Sequence, residues 1–470
     1  MKNIRIDFET NGIDPTHDQP LAVTAEVYEN ETCIDKLDIK CRPTVSRLGS
    51  PVAYFVNNIN PLSLKYEMSL YEFMLSLHEF IEKHSPAYIT AWNAKFDFNF
   101  SFNGYYQNVT TSNWYQWKNP NRLIDGLEVF KSLFVFKNEL KLINIPLNTI
   151  DEPSFELERV AKENHVNSVF HSSAGDVEAM SKLMNLAGLE SGEIIKKAKK
   201  SSVKKNVINL MENESFFCVA LGGGKNLAGR ALVPIAFDKN KTNAICFDIG
   251  LADPKGIGFE SSWEIFRRIS DFDKDNWLVK VPLNKQKVFF EQSFYPFCIN
   301  ARNHSYEELL KRASVLKDKK HFIEACNDAF SFVDSLYPLF PEEKLEKEIF
   351  TNFASPAETL YINSFNDLPF DERWSFTEES NILNKSNRIR RLSKKVLFEH
   401  DESLVPSSKY KLFREFCNKR LFNLNEFKTP WTNINKVLYE LDYLRENYPA
   451  SSNKIKRIED YYDKRLSEGF

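Results

Sequence analysis

The sequence predicts an α/β chain in three parts: a mixed sheet carrying helices, a β-rich barrel-like middle, and an all-helical C-terminal part. Three observations predict it. In the first 190 residues alternating strands come first, and strands then alternate with helices, the pattern of a mixed sheet with helices laid on it. From Phe216 to Asn300 short strands are punctuated by turn signals at Gly222 to Gly224, Asp238 to Thr242, Gly250 to Gly256 and Asn284 to Gln286. Beyond Ser355-Pro356 the apolar residues recur at helical spacing nearly throughout. The length of 470 residues is too great for one ordinary core, and the expected parts are residues 1–190, 191–354 and 355–470.

The first strand is Ile4 to Thr10. Side chains alternate faces along a strand, so Asp7 and Glu9 share one face while Ile4, Ile6 and Phe8 share the other. A polar turn with Gly12, Pro15 and Pro20 follows, then alternating stretches at Leu21 to Tyr28 and Thr32 to Cys41, which read as an antiparallel meander. Ser69 and Glu72 form a capping box ahead of Leu70, Phe73, Met74, Leu77, Phe80 and Ile81, a helix. Ala87 to Trp92 reads as a buried strand leading into Asn93-Ala94-Lys95-Phe96-Asp97. Leu123 to Phe136 is expected to be helical, and Ser154 is expected to open a short helix through Leu157, Val160 and Ala161. His171 to Asp176 leads into a helix with Ser172 or Ser173 as its cap. The lysines at 196, 197, 199, 200, 204 and 205 read as a solvated helix face. Helices are expected over Tyr306 to Phe350, around Arg388 to Lys395, and at Tyr410 to Leu421, Ile434 to Asn447 and Ser452 to Leu466.

Composition narrows the function. A net charge of −3 excludes a uniformly basic coat, so a polyanion would have to be held by local basic patches. Seven scattered cysteines with no C-x-x-C pair exclude a disulfide framework and a zinc site and fit a cytoplasmic chain. No signal peptide and no apolar run of membrane-spanning length is seen. Gly222-Gly223-Gly224-Lys225 fails as a phosphate loop, because Asn226 replaces the hydroxyl residue and Val219 the first glycine, and reads as a turn. The aromatic run Phe96, Phe98, Phe100, Phe102, Tyr105, Tyr106, Trp114, Tyr115 and Trp117 reads as core, with one or two rings open to base stacking.

The chemistry lies in Asp7, Glu9, Asp97, His171 and Asp176, each at the end of a secondary element. Taken alone, Asp7 and Glu9 describe an edge strand facing solvent, and Asp97 an acid favoured by a helix N-terminus. Together, four carboxylates suit a pair of Mg²⁺ ions roughly 4 Å apart, and such ions prefer oxygen ligands. A histidine has the pKa to take a proton from water near neutral pH. These groups point to metal-assisted hydrolysis of a phosphodiester.

Asp7-Phe8-Glu9-Thr10, Asn93 to Asp97, Ser154-Phe155-Glu156-Leu157-Glu158 and His171 through Ala179 resemble the motifs of the DEDDh 3′→5′ exonucleases of the RNase H-like superfamily, and within it the bacterial exonuclease I family. Gly229 to Pro234 with Phe247-Asp248-Ile249 resembles that family's middle domain, and Leu360 to Phe365 and Arg391 to Phe398 resemble parts of its helical domain. The resemblance implies an RNase H-like exonuclease domain, an SH3-like β-rich middle domain and a helical C-terminal domain closing a basic ring over the strand. It implies Asp7, Glu9, Asp97 and Asp176 as ligands of two Mg²⁺ ions, with Mn²⁺ able to substitute, His171 as general base, and Glu9, Thr10, Asn93 and Glu156 beside the substrate. The activity implied is processive 3′→5′ degradation of single-stranded DNA to 5′-mononucleotides by a monomer that docks the acidic tail of single-strand DNA-binding protein. The alternatives are a 3′→5′ exoribonuclease and a weakly active strand-binding module. Two departures stand out: Asn57 to Asn60 only partly resembles the Gly-Ile-Thr stretch, and Glu156 replaces an arginine. The basic residues Arg388, Arg390 and Arg391 are expected to touch the strand.

Overall fold

The computed structural model describes the chain except for residues 112–119, 137–142, 189–191, 259–260, 271–275, 284–285, 337–344, 346–353, 426–428 and 468–470. β1 (Lys2–Thr10) is the central strand of a five-stranded sheet ordered β3-β2-β1-β4-β5, with β2 (Pro20–Glu29), β3 (Thr32–Lys40), β4 (Ala87–Ala91) and β5 (Arg122–Asp125). The first three strands are antiparallel, whereas β1, β4 and β5 run parallel and so end at one edge. α1 (Pro51–Val56) and α2 (Leu70–His84) precede β4, and α3 (Lys95–Gln107) follows it. β5 runs straight into α4 (Gly126–Val135), with α5 (Leu157–Glu163) and α6 (Ser173–Leu186) beyond.

The alternation in β1 determines what lies on either side of the sheet. Ile4, Ile6 and Phe8 are buried in one cluster with Phe73, Leu77 and Ile81 of α2. Each such side chain contributes about 1.5–3 kcal/mol when fully buried. Arg5, Asp7 and Glu9 take the opposite face, which α6 covers, with Thr24 and Ser173 hydroxyls 3.0 Å apart at the contact. α2 has the expected capping box, the Ser69 amide donating to Glu72 Oε2 at 2.8 Å and the Glu72 amide to Ser69 Oγ at 3.2 Å.

α7 (Glu193–Ser201) and α8 (Lys204–Asn213) lead to a second sheet, antiparallel throughout and ordered β10-β6-β7-β8-β9. Its strands are β6 (Phe217–Leu221), β7 (Ala228–Phe237), β8 (Asn243–Asp248), β9 (Leu278–Pro282) and β10 (Phe289–Phe290). α9 (Ser262–Ser270), α10 (Tyr306–Lys317) and α11 (Lys320–Leu336) accompany it. The glycine run at 222–224 is the turn between β6 and β7, with Gly222 and Gly224 at φ of 93° and 54°, which glycine alone adopts freely. The two sheets share one core: Val129, Phe130 and Phe136 bury against Phe216, Phe247 and Phe290, and Glu128 of α4 pairs with Lys287 at 2.6 Å.

The C-terminal part is helical: α12 (Pro356–Asp367), α13 (Phe370–Glu379), α14 (Arg388–His400), α15 (Ser407–Leu421), α16 (Ile434–Asn447) and α17 (Ser452–Ser467). It packs on the first part in two clusters, one joining Tyr54 and Leu48 to Val437, Ile458 and Tyr462, the other joining Tyr71 and Tyr106 to Tyr361 and Leu392. Among the described residues no helix is long and apolar enough to cross a membrane.

Three expectations are corrected. Leu123 to Phe136 is not helical throughout: Leu123 to Asp125 belong to β5, since the buried parallel edge beside β4 takes an apolar run that periodicity alone assigns to a helix. Ser154 does not open the next helix. Its amide donates to the Pro146 carbonyl, and α5 begins at Leu157 with Glu156 as N-cap. Arg388 and Arg390 do not face a ligand. Arg388 is 8% exposed and makes a two-pronged pair with Glu358 at 3.0 and 3.3 Å. Arg390 is 3% exposed and donates to the Ser380 and Leu383 carbonyls at 2.9 and 2.8 Å. Of the aromatic run, Phe98, Phe100, Tyr105 and Tyr106 are buried, while Trp114, Tyr115 and Trp117 lie outside the described residues.

Removing one partner of a buried pair leaves an uncompensated charge, so Arg388→Ala should destabilise the chain by about 3–5 kcal/mol. Arg391→Ala, on the exposed face of the same helix, should stay within about 0.5 kcal/mol. Urea unfolding of the two variants checks this, and equal effects would refute the assignment.

Candidate metal centre

The acidic end of β1 is where the sheet stops being regular. Pairing with β2 runs in register from Asn3 to Glu9 and shifts between Glu9 and Thr10, a bulge that turns the chain away just past the second carboxylate. Asp7 and Glu9 stand beside Asp176, and ligand oxygens of the three lie within 4.8 Å of one another. Asp97, in the first turn of α3, stands just outside that group and is buried; its Oδ1 accepts the Phe8 amide at 3.1 Å. Asp125 caps α4 at the end of β5. Three parallel strand ends and two helix starts thus bring carboxylates to one edge, where open α/β sheets place their ligands.

These charges raise one another's pKa. Burial lifts Asp7 well above the carboxylate range, and the charges of Asp97, Glu9 and Asp176 push it further. Glu9 is raised to about 8 by burial and then by Asp176 and Asp97. Asp97 is raised strongly by burial, against hydrogen bonds from Phe8 and its own amide, with Asp125 and Asp176 adding to the rise. Asp176 is raised to about 6 by burial, while the His171 charge and backbone amide pull the other way. Asp125 is also raised to about 6, by burial and then by Glu128. A donor set made only of oxygens, whose members oppose each other's ionisation, fits a hard divalent cation.

His171 sits in the turn before α6 with a left-handed φ of 58°. The turn is closed by Ser172 Oγ donating to the Val169 carbonyl at 2.7 Å and Ser168 Oγ to the Gly175 carbonyl at 2.7 Å. A Cβ on Gly175 would lie 1.8 Å from the Val169 oxygen, so this turn requires glycine there. The His171 side chain is 53% exposed and its Nε2 lies 3.4 Å from Glu158 Oε2.

The remaining site residues divide. Glu9 is in the cluster, whereas Thr10 is engaged locally, its hydroxyl donating to the Gly12 carbonyl at 2.6 Å and its own carbonyl accepting Asn57 Nδ2 at 2.9 Å. That last bond ties the Asn57 to Asn60 stretch to the end of β1. Asn93 is exposed at φ 58° in the turn before α3. Glu156 points into solvent and pairs with Arg159, one helical turn later, at 2.6 Å. Arg159 and Asp125, which stand beside these residues, were not singled out in the sequence. The spacing of Glu156 to Arg159, an i,i+3 pair of opposite charge, was the available signal for the first.

The chain is similar to known proteins. Residues 4–184 match the family model described as Exonuclease. Over 176 residues the chain is 27% identical to exodeoxyribonuclease I of Escherichia coli, a match covering 37% of this chain and 36% of that protein's length. Structural likeness extends much further. Exonuclease I from Methylocaldum szegediense superposes with a TM-score of 0.82 at 16% identity, covering 98% of each chain. Escherichia coli exonuclease I in complex with a dA16 oligonucleotide gives 0.81 at 18% identity, covering 98% of this chain and 99% of the other. The zinc-bound form of the Escherichia coli exonuclease I complex with single-stranded DNA gives 0.83 at 17% identity over 99% of each. Residues 4–184 match the Exonuclease family model, in a chain that shares the fold of the exonuclease I structures over nearly its whole length.

Proposed function

We propose that this chain is a 3′→5′ exodeoxyribonuclease that degrades single-stranded DNA processively to 5′-mononucleotides with two Mg²⁺ ions, for which Mn²⁺ can substitute. The observation that carries the reading is the set of mutually opposed carboxylates, Asp7, Glu9 and Asp176 with Asp97 beside them, at the edge of an exonuclease-family sheet. Those four residues would hold the ions, which would supply stabilisation of the negative charge that develops in phosphodiester hydrolysis. His171, at the exposed mouth of the cluster, takes the proton from the attacking water, and Glu158 orients its ring. Arg159 meets the phosphate in place of an arginine at 156, with Asn93 and Thr10 lining the approach to the 3′ end. The chain works as a cytoplasmic monomer, consistent with seven unpaired thiols. A partner with an acidic tail, such as single-strand DNA-binding protein, would find an exposed basic face at Lys196, Lys200 and Lys205.

The deciding assay uses 5′-labelled single-stranded DNA, its RNA and duplex counterparts, and Mg²⁺ or EDTA. A ladder shrinking from the 3′ end on single-stranded DNA alone is the expected result. Asp7→Ala should abolish it while strand binding persists, and His171→Ala should slow it by about 10²–10⁴-fold. Cleavage of RNA instead would reassign the substrate, and normal cutting by Asp7→Ala would refute the ligand set.

A second expectation concerns pH. Raised pKa values mean that the folded chain holds protons the unfolded chain releases, so stability falls as pH rises. In metal-free protein the loss should begin above about 4, the ordinary carboxylate value, and continue through about 6 for Asp176 and about 8 for Glu9. Melting in EDTA should therefore fall from pH 5 towards roughly 8.5, with Mg²⁺ or Asp7→Asn flattening the decline. A flat profile in EDTA would show that the carboxylates do not oppose one another.

A further inference from the structure

The turn from β4 into α3 carries a tryptophan whose ring packs on one neighbour while its N–H bonds another. Parallel pairing sets Ala91 beside Asp125, so Trp92 leaves β4 where β5 passes into α4. Its ring lies 4.9 Å from that of Phe130, and a Cβ on Gly126 would meet it at 3.2 Å. The half-buried side chain is thereby seated on a helix that belongs to the core shared by the two sheets. From that seat its Nε1 donates to the Phe155 carbonyl at 3.0 Å.

Phe155 precedes the N-cap of α5, so its carbonyl stands outside the ladder of that helix and needs a donor from elsewhere. α5 has little to hold it by itself. It is seven residues long, too short to be stable alone, and Glu156 gives it no side-chain cap. Val160 and Ala161 bury one face of it, and Trp92 fastens the segment that enters it. Glu158, in its first turn, is the residue whose Oε2 lies 3.4 Å from His171 Nε2.

We propose that Trp92 is a positioning residue: its indole N–H fixes the entry of α5, and through Glu158 the ring of His171, relative to the turn that carries Asp97 into the carboxylate cluster. The inference rests on the reading of His171 as general base in a nuclease. A base must stand within hydrogen-bond reach of the water it deprotonates, and a misplacement of about 1 Å can cost about 10²-fold in rate. Trp92 acts through Glu158 and His171 and not on the phosphodiester itself. A phenyl ring at position 92 would keep the packing on Phe130 and lose only the donor.

The test is a double-mutant cycle of Trp92→Phe with His171→Ala, with melting curves to confirm folding. On single-stranded DNA in Mg²⁺, Trp92→Phe should lower kcat about tenfold with KM within about twofold of wild type. On the His171→Ala background the same substitution should change kcat by less than about twofold, because the group it positions has gone. Hydrogen exchange in EDTA needs no cutting: the α5 amides should exchange at least about fivefold faster in Trp92→Phe, with those of α3 and α6 unchanged. Equal losses with and without His171 would make Trp92 merely structural and overturn the proposal, as would a wild-type kcat or unchanged α5 exchange in Trp92→Phe. A wild type that cuts no substrate would sink the nuclease reading instead. Exchange in α5 would then decide the tether by itself, faster exchange in the variant upholding it and unchanged exchange overturning it.

Discussion

Repulsion among Asp7, Glu9, Asp97 and Asp176 is the constraint that the rest of the molecule is built to withstand. Left to themselves these side chains would separate or stay protonated. They do not separate, because each is fixed by an element that is itself buried, and without a cation they keep their protons to raised pH. β1 cannot shift by one residue without moving Ile4, Ile6 and Phe8 out of their core and Arg5 off the Tyr28 ring, over which it lies at 4.0 Å. Asp97 is tied to β1 by the Phe8 amide, and Asp176 is carried on a helix whose entry turn tolerates only glycine at 175. Hydrophobic packing thus holds together a set of charges that a divalent cation would neutralise.

The other two parts of the chain act on that site from behind. Tyr462 donates to the Gly49 carbonyl at 3.0 Å, and Arg465 reaches the carbonyls of Thr44, Val45 and Arg47, so the last helix fastens the loop that runs from β3 to α1. α1 ends at Asn57, which hydrogen-bonds the Thr10 carbonyl beside Glu9. A chain of contacts therefore joins the C-terminus to the carboxylate edge. On the far side, Glu128 lies between Lys131 and Lys287, neutralising charge where the two sheets share a core. Separating the three parts would expose buried apolar surface at each of these seams.

The site was more legible in the sequence than its support. Period-two alternation places Asp7 and Glu9 on one face from seven residues alone, and the cap before Val177 fixes where Asp176 enters a helix. What sequence could not resolve is what depends on distant partners. β5 is four residues long and runs without a break into α4, so its apolar residues carry no separate signature. Arg388 sits in a run of basic residues that looks like surface, and only Glu358, thirty positions earlier, shows that it is a buried partner. Glu156 stands out in the sequence as a departure, and its pairing with Arg159 is visible only once α5 is seen to start at Leu157.

Basic residues on the helical part consequently divide by what they face. Arg388, Arg390 and Arg465 spend their donors on Glu358 and on backbone carbonyls, and these bonds would have to break before any of them could meet a phosphate. A planar guanidinium with five donors suits that work of cross-linking chain segments. Arg391 and Lys419 are exposed and form no ion pair with a described residue, whereas Lys394 pairs with Glu378 at 2.6 Å. An overall charge of −3 thus conceals a local separation in which arginines hold the helices and a small group of cations is left for an anion. The same logic governs the other end of the molecule, where excess negative charge is concentrated at one sheet edge. A polyanion can approach that edge only where a cation offsets the repulsion.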